Sequence, residues 1–220
     1  MRQKFLAEML GTAALLATVV GSGVMAVNLA DGNDGLALLA NASATAAMLY
    51  VLITLIGPIS GAHFNPAVSM VMRLRGDIST RTATGYVIAQ IFGAVIGVLL
   101  AHAMFDLPLI QLGNHSRTGP AQWLSEGVAS FGLLLTILLA IRTQAKSLPA
   151  LVAGYIFAAY WFTASTSFAN PAVTLARCLT QTFAGIQPAD TVGFIAAQLL
   201  GAALALPAAN LLQAQGDPDK

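Results

Sequence analysis

Two copies of one short segment carry most of the chemistry this sequence offers. Asn65-Pro66-Ala67-Val68-Ser69 recurs 105 residues later as Asn170-Pro171-Ala172-Val173-Thr174. Asn is favoured at helix N-caps and Pro at the first helical position, so each copy reads as a helix start. Such an end carries unsatisfied N–H groups, about half a positive charge and a side-chain amide with two donors. Each Asn would accept from its own helix backbone and offer its NH2 group outward. Two such ends meeting would form a positive, donor-rich point. It would bind the oxygen of a polar solute and repel cations, including protons on a water chain. Glu8 and Glu126 form a second pair: Glu8, Thr12, Leu15, Leu16 and Thr18 recur as Glu126, Ser130, Leu133, Leu134 and Thr136. A carboxylate inside an apolar run needs a partner. One reading is a pair of titrating sites in a proton-coupled secondary transporter. The other, preferred here, is bracing, with each carboxylate accepting N–H groups from irregular backbone ahead of an Asn. Gln90 and Gln198, repeat mates at an offset of 108, read as braces for the same segments. His63 reads as a supplier of a backbone carbonyl rather than a metal ligand.

These groups need elements to position them. The spacing predicts short helices over 65–74 and 170–180. Ten residues make about 15 Å, half of a roughly 30 Å hydrocarbon core. To start a helix at mid-depth the chain must first descend as irregular backbone, over 60–64 and 164–169. Such backbone is tolerated at that depth only when buried in protein or lining a wet cavity. Its free carbonyls then form a ladder of acceptors for a permeating solute. Around these half-helices, runs without charge predict six spans, near 5–29, 37–57, 83–104, 122–142, 149–165 and 190–212, the fourth and fifth being short. Gly93-x-x-x-Gly97 and Gly201-x-x-x-Ala205 read as close helix contacts.

Composition agrees with a membrane protein. Hydrophobic residues make up 57% and charged ones 9% of 220, against about 25% charged in an average soluble domain. Mean hydropathy is +0.76. A net charge of +1 gives no case for nucleic acid. Cys178, the single cysteine, has no internal partner and reads as a packing residue. The apolar stretch after Met-Arg-Gln-Lys is too long for a signal peptide and holds Glu8, so a cleaved leader is not expected. Arg2, Lys4, Arg73, Arg75, Arg81, Arg142, Lys146 and Lys220 fall on one side of a six-span topology, Arg117 and Arg177 on the other. The positive-inside rule then places both termini in the cytoplasm and the chain in the inner (plasma) membrane. The three matched pairs of segments divide the chain into repeats at 1–110 and 111–220. Each holds three spans, so the second is inverted. No nucleophile–base arrangement, phosphate loop or metal-ligand spacing is present. Neither an enzyme nor a cofactor is expected.

Gly61-Ala62-His63-Phe64-Asn65-Pro66-Ala67-Val68, Phe168-Ala169-Asn170-Pro171-Ala172 and Ala7-Glu8-Met9-Leu10-Gly11-Thr12 resemble the aquaporin (major intrinsic protein) family. The likeness covers essentially the whole chain. It implies an all-α membrane fold, six transmembrane helices plus two re-entrant half-helices in an inverted repeat. It also implies a homotetramer with one pore per subunit and passive flow of water or small neutral solutes. It supports the bracing role of Glu8 and Glu126. The family's outer constriction, carried over without gaps, falls on Thr45, Ala158, Ser167 and Val173. Most members carry Arg directly after the second Asn-Pro-Ala; here that position is Val173. Four small, uncharged residues imply a wider gate suited to glycerol-sized solutes or neutral metalloid hydroxides. Val at this position resembles a bacterial, aquaglyceroporin-like subgroup linked to arsenical permeation. Arg177 lies one helical turn beyond Val173. It replaces the missing cation in the vestibule, caps the helix end or meets lipid headgroups.

Overall fold

A computed structural model of the chain describes residues 1–214. Lys220 and the end of the expected second repeat lie outside the described residues. The order is α1 (Arg2–Leu29), α2 (Asp34–Ser60), α3 (Pro66–Arg75), α4 (Thr80–Met104), α5 (Pro120–Arg142), α6 (Leu148–Phe162), α7 (Pro171–Arg177) and α8 (Thr191–Ala214). No strand occurs among the described residues. Helices α1, α2, α4, α5 and α8 are long and apolar enough to cross a bilayer. Phe92, Ile96, Leu100, Leu200 and Leu204 stay exposed on the outer faces, as suits contact with hydrocarbon rather than water. The chain is an integral membrane protein.

Three boundaries differ from the sequence reading. Helix α2 continues through Gly57-Pro58 to Ser60, where Gly61 closes it in a left-handed conformation (φ 93°) and donates its N–H to the Gly57 carbonyl. Helix α6 ends at Phe162 rather than near 165, so its 15 residues span only about 22 Å. The chain continues the crossing as irregular backbone that opens with a turn, Thr166 N–H donating to the Thr163 carbonyl at 3.1 Å. Helix α7 stops at Arg177 instead of reaching 180. The carbonyls just past its end are taken from outside: Gly113 N–H donates to the Cys178 carbonyl (2.8 Å) and Gln111 N–H to that of Leu179 (3.3 Å), both from the α4–α5 connection.

Helix α1 packs along α4, and α5 along α8. The glycines at these crossings are obligatory. A Cβ on Gly93 would meet the Met9 carbonyl, and one on Gly201 would meet the carbonyl of Gly127. These contacts are equivalent, since Met9 follows Glu8 and Gly127 follows Glu126. Each close crossing therefore fixes a glutamate at the same height relative to its half-helix.

Candidate functional site

Both half-helices begin as their sequences require. Asn65 and Asn170 are extended N-caps. The Asn65 Oδ1 accepts from Ala67 N–H at 2.8 Å, and the Asn170 Oδ1 accepts from Ala172 N–H at 3.0 Å. Their amide nitrogens do more than face outward. Asn65 Nδ2 donates to the Ala169 carbonyl at 2.7 Å, and Asn170 Nδ2 donates to the Phe64 carbonyl at 2.8 Å. Each half-helix is thus tied to the residue preceding the other's cap. One N–H per amide remains for the cavity that both asparagines line.

The irregular segments before the caps have matching backbones. Ala62 and Phe64 have φ of 51° and 48°; Ser167 and Ala169 have 51° and 46°. Left-handed non-glycine residues cost about 1–3 kcal/mol each. The glutamates offset that strain. Glu8 accepts from His63 N–H (Oε1, 3.0 Å) and Phe64 N–H (Oε2, 2.7 Å). Glu126 accepts from Phe168 N–H (Oε1, 2.9 Å) and Ala169 N–H (Oε2, 2.8 Å). Gln90 Nε2 bridges Glu8 Oε2 (2.8 Å) and Ser69 Oγ (3.0 Å). Gln198 Nε2 bridges Glu126 Oε2 (2.6 Å) and Thr174 Oγ1 (2.8 Å). Ser60 Oγ adds a bond to Glu8 Oε1 at 2.6 Å. Both carboxylates are fully buried, and neither lies on the cavity wall.

That cavity has a volume of about 540 Å³ and runs past both asparagines. At the α3 mouth it is bordered by His63, Asp77, Ala145 and Pro149. Leu15, Val19, Leu133, Val152 and Ile156 line the long apolar side, and the re-entrant segments provide the polar one. At the α7 mouth stand Thr45, Tyr160, Ser167, Phe168, Val173 and Arg177. The structure therefore brings Thr45, Ser167 and Val173 together. It does not bring in Ala158, which is exposed on the outside of α6. The residue from α6 at this mouth is Tyr160, whose hydroxyl donates to Thr45 Oγ1 at 3.4 Å. Two residues on a helix are about 200° of rotation, enough to exchange the lipid side for the pore side. Nor is the mouth free of aromatic and cationic groups. Arg177 reaches it, 3% exposed, with its Nε donating to the Ala184 carbonyl and its guanidinium over the Phe168 ring.

Sequence reasoning missed Tyr160, Phe168 and Arg117. Arg117 is the one lysine or arginine of the α4–α5 connection. Burial pushes its guanidinium down from the ordinary arginine value, against which Glu126 acts. Phe168 stands where His63 stands in the first half, and both rings have edge-on partners: His63 with Tyr86 at 5.1 Å and Phe168 with Phe194 at 5.2 Å. That equivalence, read from the 105-residue offset, was the available signal.

The family model for the major intrinsic proteins matches residues 1–162, most of the chain. The chain belongs to the major intrinsic protein family. A relative within it, the Aquaglyceroporin AqpS of Rhizobium meliloti (strain 1021), is 59% identical over 204 residues, covering 93% of this chain and 87% of AqpS. The Glycerol uptake facilitator protein of Bacillus subtilis (strain 168) is 32% identical over 145 residues, covering 58% of this chain and 53% of that protein. Among solved structures, the aquaglyceroporin from Plasmodium falciparum matches with a TM-score of 0.74 at 18% identity, covering 96% of this chain and 99% of that one. At that identity the match speaks for the fold: that of a major intrinsic protein, with aquaporin-like helices and re-entrant segments.

Proposed function

We propose that this major intrinsic protein is a passive channel for water and small neutral solutes, open enough at the α7 mouth for glycerol-sized or metalloid hydroxide solutes. The observation that carries the reading is one cavity of about 540 Å³ passing both cap asparagines, apolar on one side and hydrogen-bonding on the other. A solute with hydroxyl groups on one edge and a carbon or metalloid backbone on the other matches that wall. Aquaglyceroporin AqpS and the Glycerol uptake facilitator protein carry glycerol in their names, which favours the glycerol-sized part of this reading.

Thr45, Ser167 and Val173 serve as the constriction, with Tyr160 in the place first given to Ala158. The proton-coupled alternative finds no support. Glu8 and Glu126 spend their oxygens on backbone N–H, hydroxyl and glutamine donors and do not reach the cavity. Bracing by Glu8, Glu126, Gln90 and Gln198 accounts for them without any titration. The remaining parts of the reading are a homotetramer, cytoplasmic termini, repeats at 1–110 and 111–220, and the absence of enzymatic activity. Stopped-flow light scattering on proteoliposomes with water, glycerol, urea and arsenite tests the solute class. Uphill, pH-driven glycerol uptake would refute the passive reading.

A further inference from the structure

Two arginines share one aromatic ring at the α7 mouth. The Arg177 Cζ lies 3.3 Å from the Phe168 ring centroid and the Arg117 Cζ 5.2 Å from it. They also share a backbone platform. Arg177 Nε donates to the Ala184 carbonyl. Arg117 donates from Nε to the Gly185 carbonyl (2.9 Å), from Nη2 to that of Phe183 (3.4 Å) and from Nη1 to that of Ser165 (3.5 Å). Three successive carbonyls, 183 to 185, are thus held by two guanidiniums. Asp190 Oδ2 fixes the Arg117 backbone N–H at 2.7 Å.

Neither guanidinium forms an ion pair among the described residues. Arg75 pairs with Asp77 at the far mouth. Asp190 is taken by the Arg117 backbone N–H, and Glu126 by the Phe168 and Ala169 N–H groups and Gln198. Of the lysines and arginines, only Arg177 lies on the cavity wall among the described residues. At the place equivalent to Arg177 the first half has Met72, also on the wall, so the cation is confined to one end. Beside it, Ser167 Oγ is buried without a protein partner.

We propose that Arg177 is the cation-excluding selectivity residue of this channel, displaced one helical turn from Val173, and that Arg117 is its positioning residue, acting through Phe168 and the 183–185 carbonyls. The assignment rests on the channel reading above. An arginine that only donates offers solute oxygens a partner and opposes any cation at the same point. By holding the Phe183 and Gly185 carbonyls on either side of Ala184, and touching the same ring, Arg117 fixes the platform on which Arg177 rests. Because Arg117 forks across three carbonyls, a lysine cannot replace it.

The test uses proteoliposomes of the full chain, with water and glycerol flux by light scattering and proton leak by an internal pH dye, each per folded protein. Wild type that passes neither water nor glycerol overturns the channel reading. Wild type that passes them while blocking protons leaves the variants to judge the inference. Arg177→Gln should raise proton leak relative to water flux by about tenfold or more, the order set by removing one charge close to the path. Arg117→Gln should raise it in the same direction but less, Arg117→Lys should fail to restore it, and Arg117→Gln with Arg177→Gln should leak no more than Arg177→Gln alone. Should Arg177→Gln misfold, Phe168→Leu removes the shared ring with both charges kept and should leak as Arg117→Gln does. A tight Arg177→Gln channel, or a tight Phe168→Leu channel where Arg177→Gln misfolds, overturns the role of Arg177. Additive leak in the double variant, or full rescue by Arg117→Lys, overturns positioning by Arg117.

Discussion

Replacing Glu126 with Gln separates bracing from titration. The variant keeps shape and volume but has one acceptor oxygen where the carboxylate has two. With that oxygen in the Oε2 place, Ala169 N–H (2.8 Å) and Gln198 Nε2 (2.6 Å) stay bonded. The new amide nitrogen then faces Phe168 N–H, which now sits 2.9 Å from Oε1. A buried donor left without an acceptor costs about 1–3 kcal/mol. The retained bonds lose their charge assistance as well, for roughly 2–4 kcal/mol in all. For a chain of this size that lowers the thermal midpoint by roughly 5–15 °C. Glu126→Ala strands all three donors at about 3–9 kcal/mol, comparable to the whole stability of a typical fold, and should give no folded protein. Thermal unfolding in detergent followed by tryptophan fluorescence measures the first effect, and stopped-flow flux per folded molecule measures function. Glu126→Gln with an unchanged midpoint refutes the bracing argument. A well-folded Glu126→Gln that loses a proton-driven uptake present in wild type puts titration in its place.

The equivalent Glu8→Gln should behave alike, losing either His63 or Phe64 as a donor and lowering the midpoint by a similar amount. Asn170→Asp turns a donor toward the Phe64 carbonyl into a second acceptor, so the midpoint should fall and proton leak appear in a dye assay; unchanged exclusion in a folded variant contradicts the donor-rich centre. Val173→Arg puts a guanidinium on the wall one turn before Arg177, and light scattering should show glycerol flux falling much more than water flux. An equal fall in both means that Val173 is not the size gate. Gly201→Ala drives a methyl into the Gly127 carbonyl and should lower the midpoint by several degrees in the same fluorescence melt.

The legible parts of this molecule were those fixed by local chemistry. Asn-Pro announces a helix start whatever surrounds it, and two copies at half-membrane length define re-entrant segments. A glutamate in an apolar run demands donors, and the only unpaired backbone to supply them lies just ahead of those helices. What could not be read was rotation and reach. Helix α6 is apolar on every side, so no periodicity marks which face meets the cavity, and counting back from Asn170 across irregular backbone selected Ala158 in place of Tyr160. The stop of α7 at Arg177 depends on donors from 111 and 113, far away in sequence. The Arg117 fork depends on three carbonyls from the two segments flanking α7, which only the fold gathers.

The crossed asparagine bonds also impose an order on assembly. By the time Gln90 has been synthesised, Glu8 can already take up the N–H groups of the first re-entrant segment. The Phe64 carbonyl has no such local solution. Its partner amide belongs to Asn170, 106 residues later. At about 5–20 residues per second, the ribosome takes roughly 5–20 s to deliver it. For that interval the first re-entrant segment is half satisfied. Until then its carbonyl needs another donor, such as water, because an unsatisfied carbonyl in hydrocarbon is costly. The mature channel closes only when the second half-helix arrives and completes both bonds together.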